Sequence, residues 1–241
     1  RNLIIGNDTT SGMRTFAGSL DEVRVYNRVL TANEIGELYR LGGMEINAGQ
    51  TDSMKNGLFG YWSFNGPDMS GTTVYDRSGN SINGTISGDA IPARGRKGQG
   101  LSFDTGQNDY VGTSITDFIT AANQPHSMFA WVYPLDTSNA QGIISFGEYN
   151  DSNYNSVLVI KNNHVSWCAN GVNNSCVEST LTIPANQWSF IGFVRTSSNI
   201  DLYLNNSSWT TSSGYNGSIN SDPFLVGRSS RNGSSEGYFR G

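Results

Sequence analysis

Acidic and nucleophilic side chains are few in the apolar segments of this sequence, which limits the chemistry that it can perform. Hydrolysis of a glycosidic bond with retention needs two carboxyl groups about 5 Å apart, and no Glu-x-Asp-x-Glu run occurs. Glu148 and Asp151 lie in a segment rich in Tyr and Asn, where acids are usually solvated. His126 and His164 are far apart in the chain, and no serine-nucleophile motif accompanies them. We therefore predict that the chain is not an enzyme.

Cation binding is a second kind of chemistry to consider, because Ca²⁺ takes several oxygen ligands from carboxylates, amides and carbonyls. Asp76, Ser78 and Asn80 place an acid, a hydroxyl and an amide at alternating positions of one turn-like segment. These residues are candidate ligands of a structural Ca²⁺ ion. The alternative is an Asx-type turn, in which the Asp76 carboxylate caps its own backbone.

Aromatic side chains beside polar loops are candidates for sugar binding, which uses an exposed aromatic platform next to amide or carboxylate groups. Five residues have this setting: Tyr149, Tyr154, Trp167, Trp209 and Tyr215. Each could instead cover a loop hydrophobically. Trp62, Trp131 and Trp188 lie in apolar strand-like runs, so we predict that they belong to the core.

Two cysteines, Cys168 and Cys176, flank a turn-forming Asn-Gly dipeptide. Strand-like residues lie on either side of them, so a disulfide across a hairpin fits their spacing. The alternative is two free thiols in a reducing cytosol. A zinc site is excluded because no further ligands are near. The disulfide favours an extracellular setting.

The composition excludes two classes of partner. The net charge is −5, from 15 basic and 20 acidic residues, and no basic stripe occurs. Nucleic acid and anionic membrane are therefore not expected partners. No 18-residue apolar run occurs either, so we predict no membrane insertion.

Short apolar runs separated by Gly, Asn, Ser and Thr dominate the sequence, and this pattern is typical of strands joined by turns. It predicts an all-β sandwich of two antiparallel sheets. One short helix is expected near the N-terminus. There Thr31 and Glu34 form a capping box, and Ile35, Leu38 and Tyr39 line one helical face.

The start and the end of the sequence resemble each other. Residues 3–6 and 16–18 have counterparts at 224–227 and 239–241, in the same order of strand, glycine, polar stretch, aromatic residue and glycine. The two pieces therefore look like the same part of two successive modules. We expect the chain to be a fragment.

Several motifs together resemble the bacterial LamG-like jelly-roll family of the laminin G/concanavalin A-like superfamily. Its opening motifs are matched at residues 60–64, 76–80, 98–104 and 109–111, and later ones at 129–132, 187–188 and 202–204. Residues 18–27 and 31–39 resemble the closing strand and short helix of the family. The closing motif stands before the opening one, so the modules are in permuted order.

This order implies a division of the chain. Residues 1–43 would be the C-terminal strand-helix piece of a preceding LamG-like module, and residues 44–56 a linker. Residues 57–241 would be a LamG-like jelly-roll sandwich that lacks its last strand.

The first and last strands of such folds are neighbours, which implies that residues 19–40 complete the sandwich. They could do so in the same chain, or in the next chain by strand exchange. We expect 224–227 to occupy the place for which residues 3–6 compete, and 1–18 to lie peripherally. The same neighbourhood would bring Asp21 to the candidate Ca²⁺ ligands.

The resemblance implies a non-catalytic carbohydrate-binding or adhesive module of a secreted or cell-surface tandem-repeat protein. Its partner would be a polysaccharide or a glycoprotein surface. The alternative is a structural spacer without a ligand. A glycoside hydrolase or polysaccharide lyase of the same fold is less favoured, because the required carboxylate pair is not recognised.

Overall fold

The structure, a computed structural model, describes residues 3–7, 15–42, 52–104, 109–114, 118, 124–146, 156–168 and 176–211. Within these ranges the chain forms seventeen strands, two α-helices and one 3₁₀ helix. The strands are β1 Leu3–Ile5, β2 Gly18–Tyr26, β3 Leu58–Trp62, β4 Met69–Ser70, β5 Thr73–Val74, β6 Gly84–Ser87, β7 Ile91–Arg94, β8 Gln99–Phe103, β9 Tyr110–Thr113, β10 His126–Pro134, β11 Gln141–Phe146, β12 Ser156–Lys161, β13 His164–Cys168, β14 Cys176–Thr182, β15 Ser189–Arg195, β16 Ile200–Leu204 and β17 Ser207–Thr210. The α-helices are α1 Ala32–Leu41 and the single turn α2 Asp52–Lys55, and the 3₁₀ helix spans Gly66–Asp68.

The strands form two antiparallel sheets. The nine-stranded sheet has the order β14-β13-β12-β11-β1-β9-β6-β5-β4. The eight-stranded sheet has the order β17-β16-β15-β10-β2-β8-β7, and β3 also pairs with β2. Strand β2 therefore has β10 along one edge, and β8 followed by β3 along the other. The all-β, two-sheet architecture that the sequence predicts is confirmed.

The main core lies between the two sheets. Alternate residues of a strand point to opposite faces of a sheet, and the apolar residues on the inner faces are nearly all fully buried. The eight-stranded sheet contributes, among others, Leu20, Met128 and Ile191, and the nine-stranded sheet contributes Ile5 and Leu158. This burial is the largest stabilising term of the sandwich.

A second apolar cluster lies on the outer face of the eight-stranded sheet, beneath α1. Ile35 and Leu38 of the helix pack there against Phe129, Trp131 and Phe190. The helix begins with the expected capping box: the Thr31 hydroxyl accepts from the Glu34 N–H, and the Glu34 carboxylate accepts from the Thr31 N–H. The helix ends against Trp131, since a Cβ at Gly42 would lie 1.8 Å from the indole nitrogen.

One buried polar link joins the two sheets. The His126 imidazole of β10 lies 2.8 Å from the Ser156 hydroxyl of β12, which also accepts a hydrogen bond from the indole N–H of Trp167. Burial lowers the pKa of His126 to about 3, so the ring is neutral at ordinary pH. The link therefore fixes the two sheets without placing a charge in the core.

The expectation that residues 1–18 lie peripherally is wrong for Leu3–Ile5. These residues form β1, which is inserted between β9 and β11 near the middle of the nine-stranded sheet. All three side chains are buried. Burial stabilises an apolar strand most when other strands pair with both of its edges and both of its faces are covered. Residues 224–227, expected in that place, lie outside the described residues.

Residues 19–40 contribute β2 and α1, and β2 pairs with β10, β3 and β8. Residues 52–55 of the expected linker form α2. The division into residues 1–43, 44–56 and 57–241, and strand exchange between neighbouring chains, stay predictions. In the described part of the chain, no helix is both long and apolar enough to cross a membrane.

The burial of β1 predicts that Ile5→Ala lowers the free energy of unfolding by about 2–5 kcal/mol. Ile5 is fully buried against both sheets, so the substitution leaves a cavity. The matched control is Ile91→Ala, because Ile91 is 63% exposed; its effect should stay within about 0.5 kcal/mol. Urea denaturation measures both values, and equal effects of the two substitutions would contradict this position of β1.

Candidate functional site

The predicted disulfide is present. Cys168 and Cys176 are directly opposite each other in the β13–β14 pair, with 4.1 Å between their Cα atoms. The bridge closes a short loop and would contribute about 2–3 kcal/mol in the chain-entropy model. The bridge lies at one edge of the nine-stranded sheet, where it links the last two strands, β13 and β14. It is therefore a structural crosslink.

Asp76 lies at the centre of a hydrogen-bonded turn. One carboxylate oxygen accepts from the backbone N–H groups of Tyr61 and Ser78, and the other accepts from the N–H of Ile82. The Ser78 hydroxyl lies 2.7 Å from the second oxygen. The carboxylate therefore acts as the acceptor that ties β3 to the following turn, the arrangement that an Asx-type turn describes.

The other candidate metal ligands also have protein partners. The Asn80 amide nitrogen donates to the carbonyls of Leu58 and Phe59. Asp21 lies elsewhere, on β2, where one carboxylate oxygen accepts from the N–H of Lys97 at 2.8 Å. Among the described residues, no group of three or more His, Cys, Asp or Glu side chains is placed to hold a metal ion.

Two of the five predicted sugar-binding aromatic residues lie within the described part of the chain. Trp167 is fully buried in the main core, because β13 directs it between the sheets. It therefore presents no face to a ligand at the surface. Trp209, on β17, is half-buried and packs against the same core. Tyr149, Tyr154 and Tyr215 lie outside the described residues.

A groove on the outer face of the eight-stranded sheet brings together aromatic and basic side chains. Its cavity volume is about 500 Å³. The residues that line it come from four separate parts of the sequence: Ser19, Ala93, Arg94, Gly95, Arg96, Tyr133 and Trp188. We refer to these seven residues as the groove.

Strand register builds the floor and the aromatic wall of the groove. Ser19 of β2 is directly opposite Tyr133 of β10, so their side chains lie on the same face. Trp188 immediately precedes β15, whose Ser189 pairs with Val132. This register places the Tyr133 and Trp188 rings 5.7 Å apart, tilted to each other and half-buried.

The opposite wall is basic and comes from the β7–β8 turn, residues 95–98, with the preceding Arg94. Both arginines that line the groove are exposed. The Arg96 guanidinium lies 4.7 Å from the ring centroid of Trp131, within the range of a cation–π interaction. Neither Arg94 nor Arg96 forms an ion pair with a residue that the structure describes.

Two side-chain acceptors, the buried Asp21 and the half-buried Asn65, hold this turn. Asp21 accepts from the Lys97 N–H, and the side-chain carbonyl of Asn65 accepts from the Gln99 N–H at 3.0 Å. The turn lies so close to Asp21 that a Cβ at Gly95 would be 2.7 Å from its carboxylate. Asp21 therefore positions the basic wall.

The sequence matches the model of one protein family in two pieces, residues 1–36 and 104–241. The family is described as the concanavalin A-like lectin/glucanases superfamily. The chain belongs to this superfamily. No curated protein and no solved structure gives a match to the chain.

Only some of the residues that line the groove lie within the match to the concanavalin A-like superfamily. Ser19 lies in the first matched piece, and Tyr133 and Trp188 lie in the second. Residues 37–103, which include Arg94 and Arg96, lie outside both pieces. The basic wall therefore comes from a segment of this chain that the family match does not cover.

The Asp21 carboxyl is an unusual constituent of this sandwich, because it is fully buried and one of its oxygens has no hydrogen-bond partner. Removal from water raises the pKa of Asp21 to about 8, and the nearby Glu22 adds to the effect. The carboxyl is therefore mostly protonated at neutral pH and adds little negative charge beside the two arginines.

The saturated hydrogen bonding of Asp76 predicts that EDTA leaves the melting temperature unchanged. A Ca²⁺ ion bound by Asp76, Ser78 and Asn80 would compete with donors that already occupy the carboxylate. Thermal melts with EDTA and with added CaCl₂ measure this. A melting temperature that falls with EDTA and recovers with Ca²⁺ would instead support the calcium site predicted from the sequence.

The raised pKa of Asp21 predicts that the stability of the folded chain depends on pH. Between about pH 4 and pH 8 the folded chain holds a proton on Asp21 that the unfolded chain releases. The stability contributed by this group is therefore complete below pH 4 and is lost as pH rises, at up to about 1.4 kcal/mol per unit. Asp21→Asn cannot ionise and keeps an acceptor for the Lys97 N–H, so its stability relative to the wild type should rise from pH 4 to pH 8.

Asp136→Asn is the matched control for this measurement. Hydrogen bonds from Ser138 lower the pKa of Asp136, so this acid is ionised in both folded and unfolded chains above pH 5. The difference between Asp136→Asn and the wild type should then be constant from pH 5 to pH 8. Urea denaturation at pH 5, 6, 7 and 8 compares the variants, and a constant difference for Asp21→Asn as well would contradict the assignment.

Proposed function

We propose that the chain is a non-catalytic carbohydrate-binding module and that the groove is its binding surface. The observation that carries the proposal is the half-exposed pair of Tyr133 and Trp188 along one wall of a 500 Å³ groove. Aromatic faces provide rigid apolar area for the C–H groups of a sugar ring at small entropic cost.

The polar groups of the groove fit the same ligand. The Ser19 hydroxyl lies on the floor, and the guanidinium groups of Arg94 and Arg96 supply several N–H donors opposite the aromatic wall. A few directed polar groups beside apolar walls are typical of small-ligand sites. The described lining residues include no carboxylate, so the groove supplies binding contacts and no acid–base pair for glycoside hydrolysis.

The superfamily and the disulfide support the setting of this function. A lectin/glucanase-type fold is compatible with a polysaccharide or a glycoprotein surface as partner. The disulfide between Cys168 and Cys176 favours an oxidising compartment. We therefore propose a secreted or cell-surface protein in which the chain acts as an adhesive module within a tandem array.

This function predicts that Trp188→Ala and Tyr133→Ala each weaken glycan binding at least about tenfold, equivalent to about 1.4 kcal/mol. Each substitution removes one of the two aromatic rings of the groove while leaving its arginines in place. A glycan array identifies ligands of the wild-type chain, and isothermal titration then measures the affinities of the variants.

Tyr75→Ala is the matched control, because Tyr75 is 40% exposed and does not line the groove. Its affinity should equal that of the wild type. Melting temperatures show that the variants are folded. If the folded wild-type chain binds no glycan on the array or on insoluble polysaccharides, the carbohydrate-binding function is wrong and a spacer without a ligand is favoured.

A further inference from the structure

The charge of the groove differs in sign from the charge of the chain. The chain has a net charge of −5, whereas the charged residues that line the groove are two arginines. The nearest buried acid, Asp21, has its pKa raised to about 8 and is mostly neutral at pH 7. A ligand in the groove therefore meets a locally positive wall.

The basic wall is ordered before a ligand arrives. Asp21 and Asn65 hold the backbone of the β7–β8 turn, and a further hydrogen bond joins the Gly95 N–H to the Gly98 carbonyl. Arg96 is restrained by its contact with Trp131. A side chain that is fixed in advance loses less conformational entropy on binding, so Arg96 binds an anion more tightly than a mobile arginine would.

Arginine also has the geometry for a particular group of anions. Its planar guanidinium presents paired N–H donors that match the two oxygens of a carboxylate or of a sulfate ester. Tyr133 and Trp188, across the groove, provide the surface for the sugar ring that carries such a group. A nucleic acid would instead need a long positive stripe, and the described lining residues provide two arginines in a chain of net negative charge.

We propose that the groove selects acidic polysaccharides: a sugar ring packs on Tyr133 and Trp188, and its carboxylate or sulfate group is bound by Arg94 and Arg96. This inference rests on the proposed carbohydrate-binding function and specifies the class of glycan. Both arginines lie in the β7–β8 segment, outside the residues that the family model matches.

Two matched pairs of polymers test the selectivity and distinguish the two anions. Dextran sulfate is compared with dextran, and polygalacturonate is compared with its methyl ester. The wild-type chain should bind at least one acidic polymer at least tenfold more tightly than the neutral polymer of the same pair. The pair that shows the difference identifies sulfate or carboxylate as the bound group. Binding should also weaken as NaCl is raised from 50 to 300 mM, because ion pairs are screened.

Variants connect this selectivity to the groove. The double variant Arg94→Gln/Arg96→Gln should lose at least tenfold in affinity for the acidic polymer and should bind the neutral polymer as the wild type does. Arg77→Gln removes one positive charge outside the groove and should change the affinity less than twofold. Trp188→Ala should also weaken binding of the acidic polymer, because the sugar ring and the anion are bound at one place.

Four results would overturn the inference, and the last of them also removes the function on which it rests. Equal binding of acidic and neutral polymers shows a carbohydrate module without charge selectivity. Acidic-polymer binding that survives the double arginine substitution places the anion elsewhere, and binding that survives Trp188→Ala shows a simple charge patch. The absence of binding to any of the four polymers and to the glycan array removes the proposed function itself.

Discussion

The position of β2 in the middle of the eight-stranded sheet is the constraint on which the rest of the structure depends. It pairs along one edge with β10 and along the other with β8 and then β3. Its inner residues, such as Leu20 and Val23, fill the core. Its outer residues include Asp21, Glu22 and Arg24, which are also buried. A strand with charged residues on its outer face needs both a cover and partners for those charges.

The cover and the partners come from different elements. The cover above the sheet includes α1. Glu22 forms an ion pair with Arg24 and accepts a hydrogen bond from the Tyr61 hydroxyl, so two charges are compensated within one small network. Asp21 has no such counter-charge, and burial keeps it neutral instead. Asp21 also accepts a hydrogen bond from the β7–β8 turn. The buried carboxyl that lacks a counter-charge is therefore also the group that positions the basic wall.

The features of this structure that depend on residues close together in the sequence could be predicted from it. The strands follow from alternation, the capping box of α1 from the three-residue spacing of Thr31 and Glu34, and the disulfide from a turn between two cysteines. The groove was not predicted, because its residues are distant in sequence and meet only through strand register. The apolar neighbours of Trp188 predict a core position and the polar neighbours of Trp167 a surface one, but Trp188 lines the groove and Trp167 is fully buried. In both cases, register and face decide exposure, and a single sequence does not give them.

The pairing of β2 with β10 closes the sheet and at the same time builds the groove. Ser19 comes from the first piece of the superfamily match, and Tyr133 and Trp188 come from the second. Ser19 becomes a neighbour of the two aromatic residues only when the two pieces pair. The pairing also buries Trp131 beside Asp21, and Trp131 in turn supports Arg96. The floor of the groove, the basic wall and the stability of the sandwich therefore depend on the same strand contact, and a change that weakens this contact should affect folding and ligand binding together.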